Sequence, residues 1–377
     1  MSKEKIILFC SSGKTYGHFL KTHALYLAVR EQFTCFEAIN PTKFTALFRN
    51  DGQIVEDELN FANDSYSQYD GLVENVGRLV LFLEKHKPDL VVGDKLPNLM
   101  TACFKLGIPY FSISHSSQMT HNWQNKENPN LALFDRYWKE FLLRKPVQDD
   151  SWFFYRNWGD YIVFADDQIS QEDKLKRFGY KYKCIGHISL SLGDNQNHLG
   201  IIHELINKNQ ANMVVLVTFS SYASQQTDDL VVGLAMTHPN ILFVYPREEL
   251  NYLDTLVIKN SVSNLYYPVF IDYEIVKPIT SLVICLPGSG TLNSLRDFNR
   301  EILSFYVHSE QEDNAFNYKH DKFSYHEFGK STFELCVSSI KRAPLISDLA
   351  DEVKSSERTD SLEKFRRLLL DFILKKR

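Results

Sequence analysis

The sequence predicts an α/β fold made of two doubly wound, Rossmann-like domains. Three observations carry that expectation. Short continuous apolar runs of strand length alternate with longer stretches of helical periodicity. The alternation breaks once, over a segment rich in Gly, Ser, Asn and Asp, and then restarts. The chain has 377 residues, too many for one ordinary core and suited to two.

The first half opens on "KIILFC" (5–10), apolar throughout as a strand covered on both faces requires. "SSGKTYG" is a turn, and 19–31 carries Phe19, His23, Leu25, Tyr26, Leu27 and Val29 as a helix. "FTCFEAI" (33–39) is the next strand. Residues 69–86 place Leu72, Val76, Leu79, Val80 and Leu83 on one helical face. "KPDLVVGD" (87–94) is a strand, followed by a helix through Leu106. "GIPYFSISH" (107–115) and "DYIVFAD" (160–166) are strands, the second closing this half. Repeated β-α-β units with short turns imply a parallel sheet with helices on both faces.

"CIGHISLSLGDNQNHLG" (184–200) reads as the connection between domains. Strands follow at "NMVVLVTF" (212–219), "ILFVYP" (241–246), "NLYYPV" (264–269), "SLVICLP" (281–287) and "EILSFYV" (301–307). "SLEKFRRLLLDFILKKR" sets Leu362, Phe365, Leu369, Phe372 and Ile373 at helical spacing. The expected division is an N-terminal domain over 1–185, a linker over 186–210 and a C-terminal domain over 211–358. An amphipathic helix over 359–377 completes the chain and is expected to pack back towards the N-terminal domain.

Composition limits the partners. Net charge is −5, which argues against a broad nucleic-acid-binding face. Six cysteines are scattered with no C-x-x-C pair and mostly sit in apolar runs, as buried thiols in a reducing compartment do. The N-terminus lacks the long apolar core and cleavage site of a signal peptide, and no stretch reaches membrane-spanning length. The expected location is cytoplasmic. The basic end "ILKKR" permits weak peripheral contact with anionic lipid, against the plainer expectation of a helix packed across the two domains.

Ligands of doubly wound folds bind outside the carboxyl ends of the strands, here a shared cleft if the two sheets face each other. Helix N-termini at that edge offer unpaired N–H groups and a partial positive charge that suit a phosphate. "LPGSGTLNSL" (286–295) occupies such a place. Gly288 and Gly290 let a backbone approach a ligand, and Thr291 carries a hydroxyl. Standing alone, G-x-G-T is more often an ordinary tight turn.

Four segments together are similar to one family. They are "SSGKTYGHFLKTHALYLAVRE" (11–31), with Gly17-His18 before a helix; "KPDLVVGDKLPNLMTACFKLGIPYFSISHSSQ" (87–118); "VVLVTFSSYAS" (214–224); and "LPGSGTLNSL" followed by "SEQEDNA" (309–315). They resemble the GT-B glycosyltransferases of families 1 and 28, which include the lipid II-forming N-acetylglucosaminyltransferase and natural-product glycosyltransferases. The spacing from Gly-Thr to Gln-x-x-Asn-Ala is the most specific part of the resemblance.

The resemblance implies that His18 is the catalytic base, with Gly17 and His115 on the acceptor side. It implies that Asp94 orients His18 or holds an acceptor hydroxyl. Ser220, Ser221, Gly288, Ser289, Gly290 and Thr291 would contact the nucleotide diphosphate. Glu310 and Gln311 would hydrogen-bond the donor sugar, and Asn314 would position the donor or its loop. The residue types suit that chemistry: imidazole takes a hydroxyl proton near neutral pH, and an acid beside an amide matches a sugar's paired donors and acceptors. The plain alternatives are a packing His18, a helix-capping Asp94, a His115 that merely starts a loop and a Ser-rich β-α turn at 220–221.

Two positions depart from the family pattern. Pro287 stands where a His usually precedes the glycine turn, and Ser294 stands where a Glu usually grips the ribose, with Asn293 or Asp297 as candidates to replace it. The Glu-x7-Glu pair of retaining relatives is absent, which favours inversion. The expected activity is therefore an inverting, metal-independent transfer from a UDP- or dTDP-sugar to an acceptor hydroxyl on a glycan, glycolipid or small molecule, with no cofactor. A nucleotide-sugar 2-epimerase and a catalytically degenerate binding subunit are the alternatives.

Overall fold

A computed structural model describes residues 5–11, 16–39, 53–55, 69–94, 96–115, 136, 159–166, 169, 172–177, 179–188, 196–219, 223–318, 320–349 and 359–375. The chain divides into two compact units. Unit 1 comprises Met1–Leu190 with Glu357–Arg377, and unit 2 is Ser191–Ser356.

Unit 1 runs β1 (Ile6–Ser11), α1 (Tyr16–Val29), β2 (Thr34–Ile39), β3 (Gln53–Val55), α2 (Tyr69–His86), β4 (Leu90–Asp94), α3 (Pro97–Leu106), β5 (Tyr110–Ser114), β6 (Tyr161–Phe164), α4 (Glu172–Arg177) and β7 (Tyr182–Cys184). Its sheet is parallel, with strand order β3-β2-β1-β4-β5-β6-β7. Unit 2 continues with α5 (Gln196–Asn209), β8 (Met213–Thr218), α6 (Gln225–Thr237), β9 (Ile241–Val244), α7 (Asn251–Lys259), β10 (Leu265–Tyr266), α8 (Tyr273–Val276), β11 (Leu282–Cys285), α9 (Ser289–Ser294), β12 (Ile302–Tyr306), α10 (Ser309–Asn317), β13 (Phe323–Glu327) and α11 (Thr332–Arg342). Its parallel sheet has order β10-β9-β8-β11-β12-β13. The last helix, α12 (Thr359–Lys375), belongs to unit 1.

The continuous apolar runs have a direct cause. Each central strand is covered on both faces, so side chains pointing either way are buried. In β1, Leu8 and Cys10 enter one core with α2 and α3, while Ile7 and Phe9 enter another with α1 and α12. In β8 the same period of two sends Met213, Val215 and Val217 to one core and Val214 and Leu216 to the other. Gly93 in β4 lies under the Tyr110 side chain, where a Cβ would collide with the phenol, so a larger residue here would have to displace the buried Tyr110.

The apolar stripe of α12 packs as its spacing demands. Phe365 and Leu369 are fully buried, with Leu362, Phe372 and Ile373 against the same cluster. Phe365 meets Phe9 edge-on at 6.4 Å and Phe372 meets Phe111 at 4.8 Å. Burying Phe365 and Leu369 contributes about 1.5–3 kcal/mol each. Because α12 covers α1 from outside and the sheet covers it from within, α1 buries residues nearly all round, including the polar Lys21, Thr22 and His23.

Two sequence expectations differ from what the structure holds. Residues 186–210 are not an open connection throughout, because Gln196–Asn209 forms α5 with Ile202 fully buried beside Leu205 and Ile206. The Gly- and Asn-rich start of that segment masked its helical spacing. Residues 160–166 do not close the first half either: α4 and β7 follow. The strands that went unread, β3, β7 and β13, lie at the outer positions of their sheets. Edge strands are covered on one side at most, so β7 and β13 carry partly exposed residues and no apolar run.

Candidate active site

Strand order reverses between β1 and β4 in unit 1 and between β8 and β11 in unit 2. Loops leaving adjacent strands part at such a reversal and open a crevice at the carboxyl edge. The candidate residues collect at these two places, each within its own unit.

In unit 1, Ser11 at the end of β1 pairs in register with Asp94 at the end of β4. His18 sits in the first turn of α1, which leaves β1, and its Nδ1 lies 3.0 Å from Asp94 Oδ1. The other Asp94 oxygen, Oδ2, lies 2.5 Å from Lys21 Nζ as an ion pair. Lys21 Nζ is also 3.0 Å from Nε2 of His115, which follows β5. His115 Nδ1 faces Asp166 Oδ2, after β6, at 3.7 Å. Four adjacent strands and α1 thus deliver a continuous chain of ionisable groups: His18, Asp94, Lys21, His115, Asp166.

The neighbours bias the protons. A carboxylate only accepts, so the Asp94 oxygen 3.0 Å away favours the His18 tautomer that carries its hydrogen on Nδ1. An ammonium only donates, so His115 accepts at Nε2 and carries its own hydrogen on Nδ1, towards Asp166. Burial, reinforced by the Lys21 charge, pushes the His115 pKa below its ordinary value, against the opposing pull of Asp166 and Asp94. His115 is therefore a neutral imidazole at neutral pH.

Asp94 is fully buried, whereas the His18 side chain keeps 16% exposure, so the carboxylate sits behind an imidazole that still meets solvent. Thr22 Oγ1 bonds back to the carbonyls of His18 (3.2 Å) and Phe19 (3.0 Å), anchoring the turn that carries His18. A Cβ at Gly17 would meet nothing within 4 Å, so packing among the described residues does not demand glycine beside His18. The buried His23–Glu37 pair, 2.7 Å apart with the His23 ring stacked on Phe19, ties α1 to β2.

In unit 2, the loops after β8, β11 and β12 are neighbours. Leu286 N donates to Thr218 O at 3.1 Å, which binds the first two together. Ser220 and Ser221 lie outside the described residues. Gly288 caps α9 in an ordinary extended conformation (φ −68°, ψ 141°), and Ser289, Gly290 and Thr291 form the first helical turn. Neither backbone angle nor packing requires glycine at 288, since a Cβ there would meet only Thr291 Oγ1 at 3.8 Å. The Tyr273 hydroxyl bonds the Thr218 side chain and lies near that of Thr291. Burial raises the Tyr273 pKa, so it remains a neutral phenol holding the two loops together.

The Glu310-Gln311…Asn314 cluster is the start of α10 rather than an open loop. Glu310 lies in the first turn. Gln311 is 2% exposed, and its Oε1 accepts from Val307 N at 2.9 Å, so the side chain folds back onto the end of β12. Its amide hydrogens are what it can give a ligand. Asn314 is buried one turn on. Asp297, a candidate for the missing ribose contact, is engaged by Lys277 Nζ at 2.5 Å, and the same ammonium takes Glu274 at 2.6 Å and the Ser294 carbonyl at 2.9 Å.

Sequence reasoning missed Lys21, Asp166, Thr218 and Tyr273. A signal for Lys21 was present: a lysine three residues from His18 on a helix otherwise rich in apolar residues must find a buried partner. Among the described residues no group of three or more His, Cys, Asp or Glu is placed to hold a metal ion, and no helix is long and apolar enough to cross a membrane.

No family profile and no curated protein matches the chain. Solved structures match it along nearly its whole length. A putative UDP-N-acetylglucosamine 2-epimerase from Listeria monocytogenes is 11% identical with a TM-score of 0.63, over 99% of this chain and 97% of that one. The glycosyltransferase of kitacinnamycin is 15% identical with a TM-score of 0.58, over 98% and 96%. A Medicago truncatula glycosyltransferase solved with UDP-glucose is 12% identical with a TM-score of 0.58, over 97% and 94%. The chain has the GT-B fold that these transferases and epimerases share.

Proposed function

We propose that the chain is an enzyme of nucleotide-diphosphate sugars, and that it transfers the sugar to an acceptor hydroxyl with inversion and without a metal ion. The observation that carries this reading is the His18–Asp94 pair at the strand reversal of unit 1. A sugar or alcohol hydroxyl is a weak nucleophile until a base removes its proton. His18 presents Nε2 for that task, and Asp94 holds the tautomer and stabilises the imidazolium that forms. The oxygen then attacks the anomeric carbon in line with the leaving diphosphate.

Unit 2 is the donor side in this reading. The diphosphate lies against the Gly288, Ser289, Gly290 and Thr291 turn and the Ser220–Ser221 loop, whose N–H groups take up the leaving charge. Glycine at 288, unexplained by the chain's own packing, leaves room for that approach. Glu310, Gln311 and Asn314 meet the donor sugar. UDP is the leading nucleotide, supported by the Medicago truncatula neighbour with UDP-glucose, and dTDP is the second.

His18→Ala tests the reading. Transfer falls by ~10²–10⁴-fold while nucleotide affinity and melting temperature persist. Transfer at the wild-type rate would remove His18 as the base. A second reading, a nucleotide-sugar 2-epimerase, is supported by the likeness to the Listeria monocytogenes protein. The two part when a UDP-sugar is incubated with no acceptor, because only an epimerase then forms a new sugar nucleotide.

A further inference from the structure

We propose that Lys21 is a positioning residue that sets the proton affinity of His18 through Asp94. The inference rests on His18 serving as the base.

Lys21 is a costly residue where it stands. Its side chain is 7% exposed, and an ammonium out of water must be repaid by close partners. It has two, Asp94 Oδ2 at 2.5 Å and His115 Nε2 at 3.0 Å. A surface lysine would not need either, and an apolar residue would fill the same space without the penalty. The arrangement makes sense as charge compensation. A buried carboxylate with no cation but His18 would hold the imidazole protonated, and a protonated imidazole cannot act as a base. With Lys21 at its second oxygen, Asp94 keeps the contact that orients His18, while the ammonium's positive charge offsets the carboxylate's pull on an imidazolium.

The charged and titratable groups along this chain come from each neighbouring element. Asp94 comes from β4, Lys21 from α1 itself, His115 from the end of β5 and Asp166 from the end of β6. His115 is held neutral by burial, so it passes no charge back. Asp166 stands beyond it, 3.7 Å from the far ring nitrogen. A further ionisable contact of α1 is His23 with Glu37, 2.7 Å apart. Lys21 is thus a cation in direct contact with the carboxylate that meets His18.

The test reads His18 directly and needs neither donor nor acceptor. The full chain is labelled with ¹³C-histidine, the His18 ring signal is identified by its loss in His18→Gln, and its titration midpoint is followed in wild type and in Lys21→Met. The midpoint rises by about one pH unit in the variant, because the like charge that disfavours the imidazolium is gone. An unchanged midpoint, even with a lowered melting temperature, overturns the proposal and leaves Lys21 a structural residue. Should Lys21→Met fail to fold, Asp94→Asn is compared with Asp94→Asn/Lys21→Met, in which no carboxylate is orphaned. There too the midpoint rises on loss of the ammonium, and identical midpoints overturn the proposal. The titration stands whether or not the protein proves to be a transferase, so the two readings fail separately. Where a transfer assay exists, the acid limb of kcat/KM moves to higher pH by the same amount.

Discussion

Replacing Asp94 by Asn removes one charge and almost no volume, and it acts on stability and on rate by separate routes. Asp94 is fully buried and holds His18 at 3.0 Å and Lys21 at 2.5 Å. In Asp94→Asn the Lys21 ammonium loses its counter-charge and keeps only neutral partners, the amide oxygen and the His115 imidazole. Breaking a buried pair from one side costs about 3–5 kcal/mol, since the other charge stays behind. For a unit of about 200 residues each kcal/mol lowers the melting temperature by about 2–4 °C, which gives a drop of ~6–20 °C. The amide has a second effect. It can turn its N–H2 towards His18 Nδ1, which drives the ring hydrogen to Nε2 and removes the base. Transfer then falls by ~10²–10⁴-fold, on the scale of a lost general base. Adding Lys21→Met separates the two effects: the double variant regains most of the lost stability, because the orphaned ammonium is gone, and regains none of the rate. Calorimetric melting and initial transfer rates read both. A single variant that melts within about 1 °C of wild type would refute the buried pair. A double variant that regains stability and rate together would refute the tautomer argument.

Three further outcomes are expected. Gln311→Ala weakens use of the sugar nucleotide by about fivefold, the worth of one neutral hydrogen bond, and leaves free nucleotide affinity nearly unchanged; equal losses for both ligands would sink the sugar-side assignment. Because burial and Lys21 hold His115 below its ordinary pKa of 6.5, the unfolded chain takes up a proton first as pH falls. The stability this residue supports is complete above about pH 6.5 and is lost as pH drops through the lower folded value. Wild type therefore melts lower at about pH 5.5 than at about pH 7.5 by more than His115→Gln does, and equal differences for the two chains would remove His115 as the cause. In unit 2, Asp228 is fully buried and takes Arg247 Nε at 3.1 Å, Arg247 Nη2 at 3.2 Å and the Tyr245 hydroxyl at 2.9 Å. Asp228→Ala destabilises unit 2 by about 3 kcal/mol in denaturant titration, and a loss within experimental error would show the network to be marginal.

Legibility followed burial. The central strands β1, β4, β5, β8 and β11 could be read because two covered faces favour a nearly continuous apolar run, and α2 and α12 because each shows one clear apolar stripe. The outer strands β3, β7 and β13 could not, because the pairing that makes them strands comes from a neighbour and not from their own residues. The site divides the same way. His18, Asp94 and His115 each stand out singly in the sequence, by residue type and place in a strand-turn-helix unit. Their union through Lys21 depends on β1, β4, β5 and β6 lying side by side, and no spacing along the chain reports that. In unit 2 the Gly-Ser-Gly-Thr segment was visible, while the Tyr273 hydroxyl that ties it to Thr218 comes from a different β-α unit.

The central claim is that this chain moves a sugar from a nucleotide diphosphate to a hydroxyl. Mass analysis of the products tests it most directly. The purified chain is incubated with a panel of UDP- and dTDP-sugars, with and without acceptor extracts, in the presence of a chelator. The account predicts nucleoside diphosphate released in step with an acceptor that gains one sugar, and no change to the donor's own sugar when acceptor is absent. A new sugar nucleotide formed without acceptor, or no turnover of any donor with any acceptor, would contradict it.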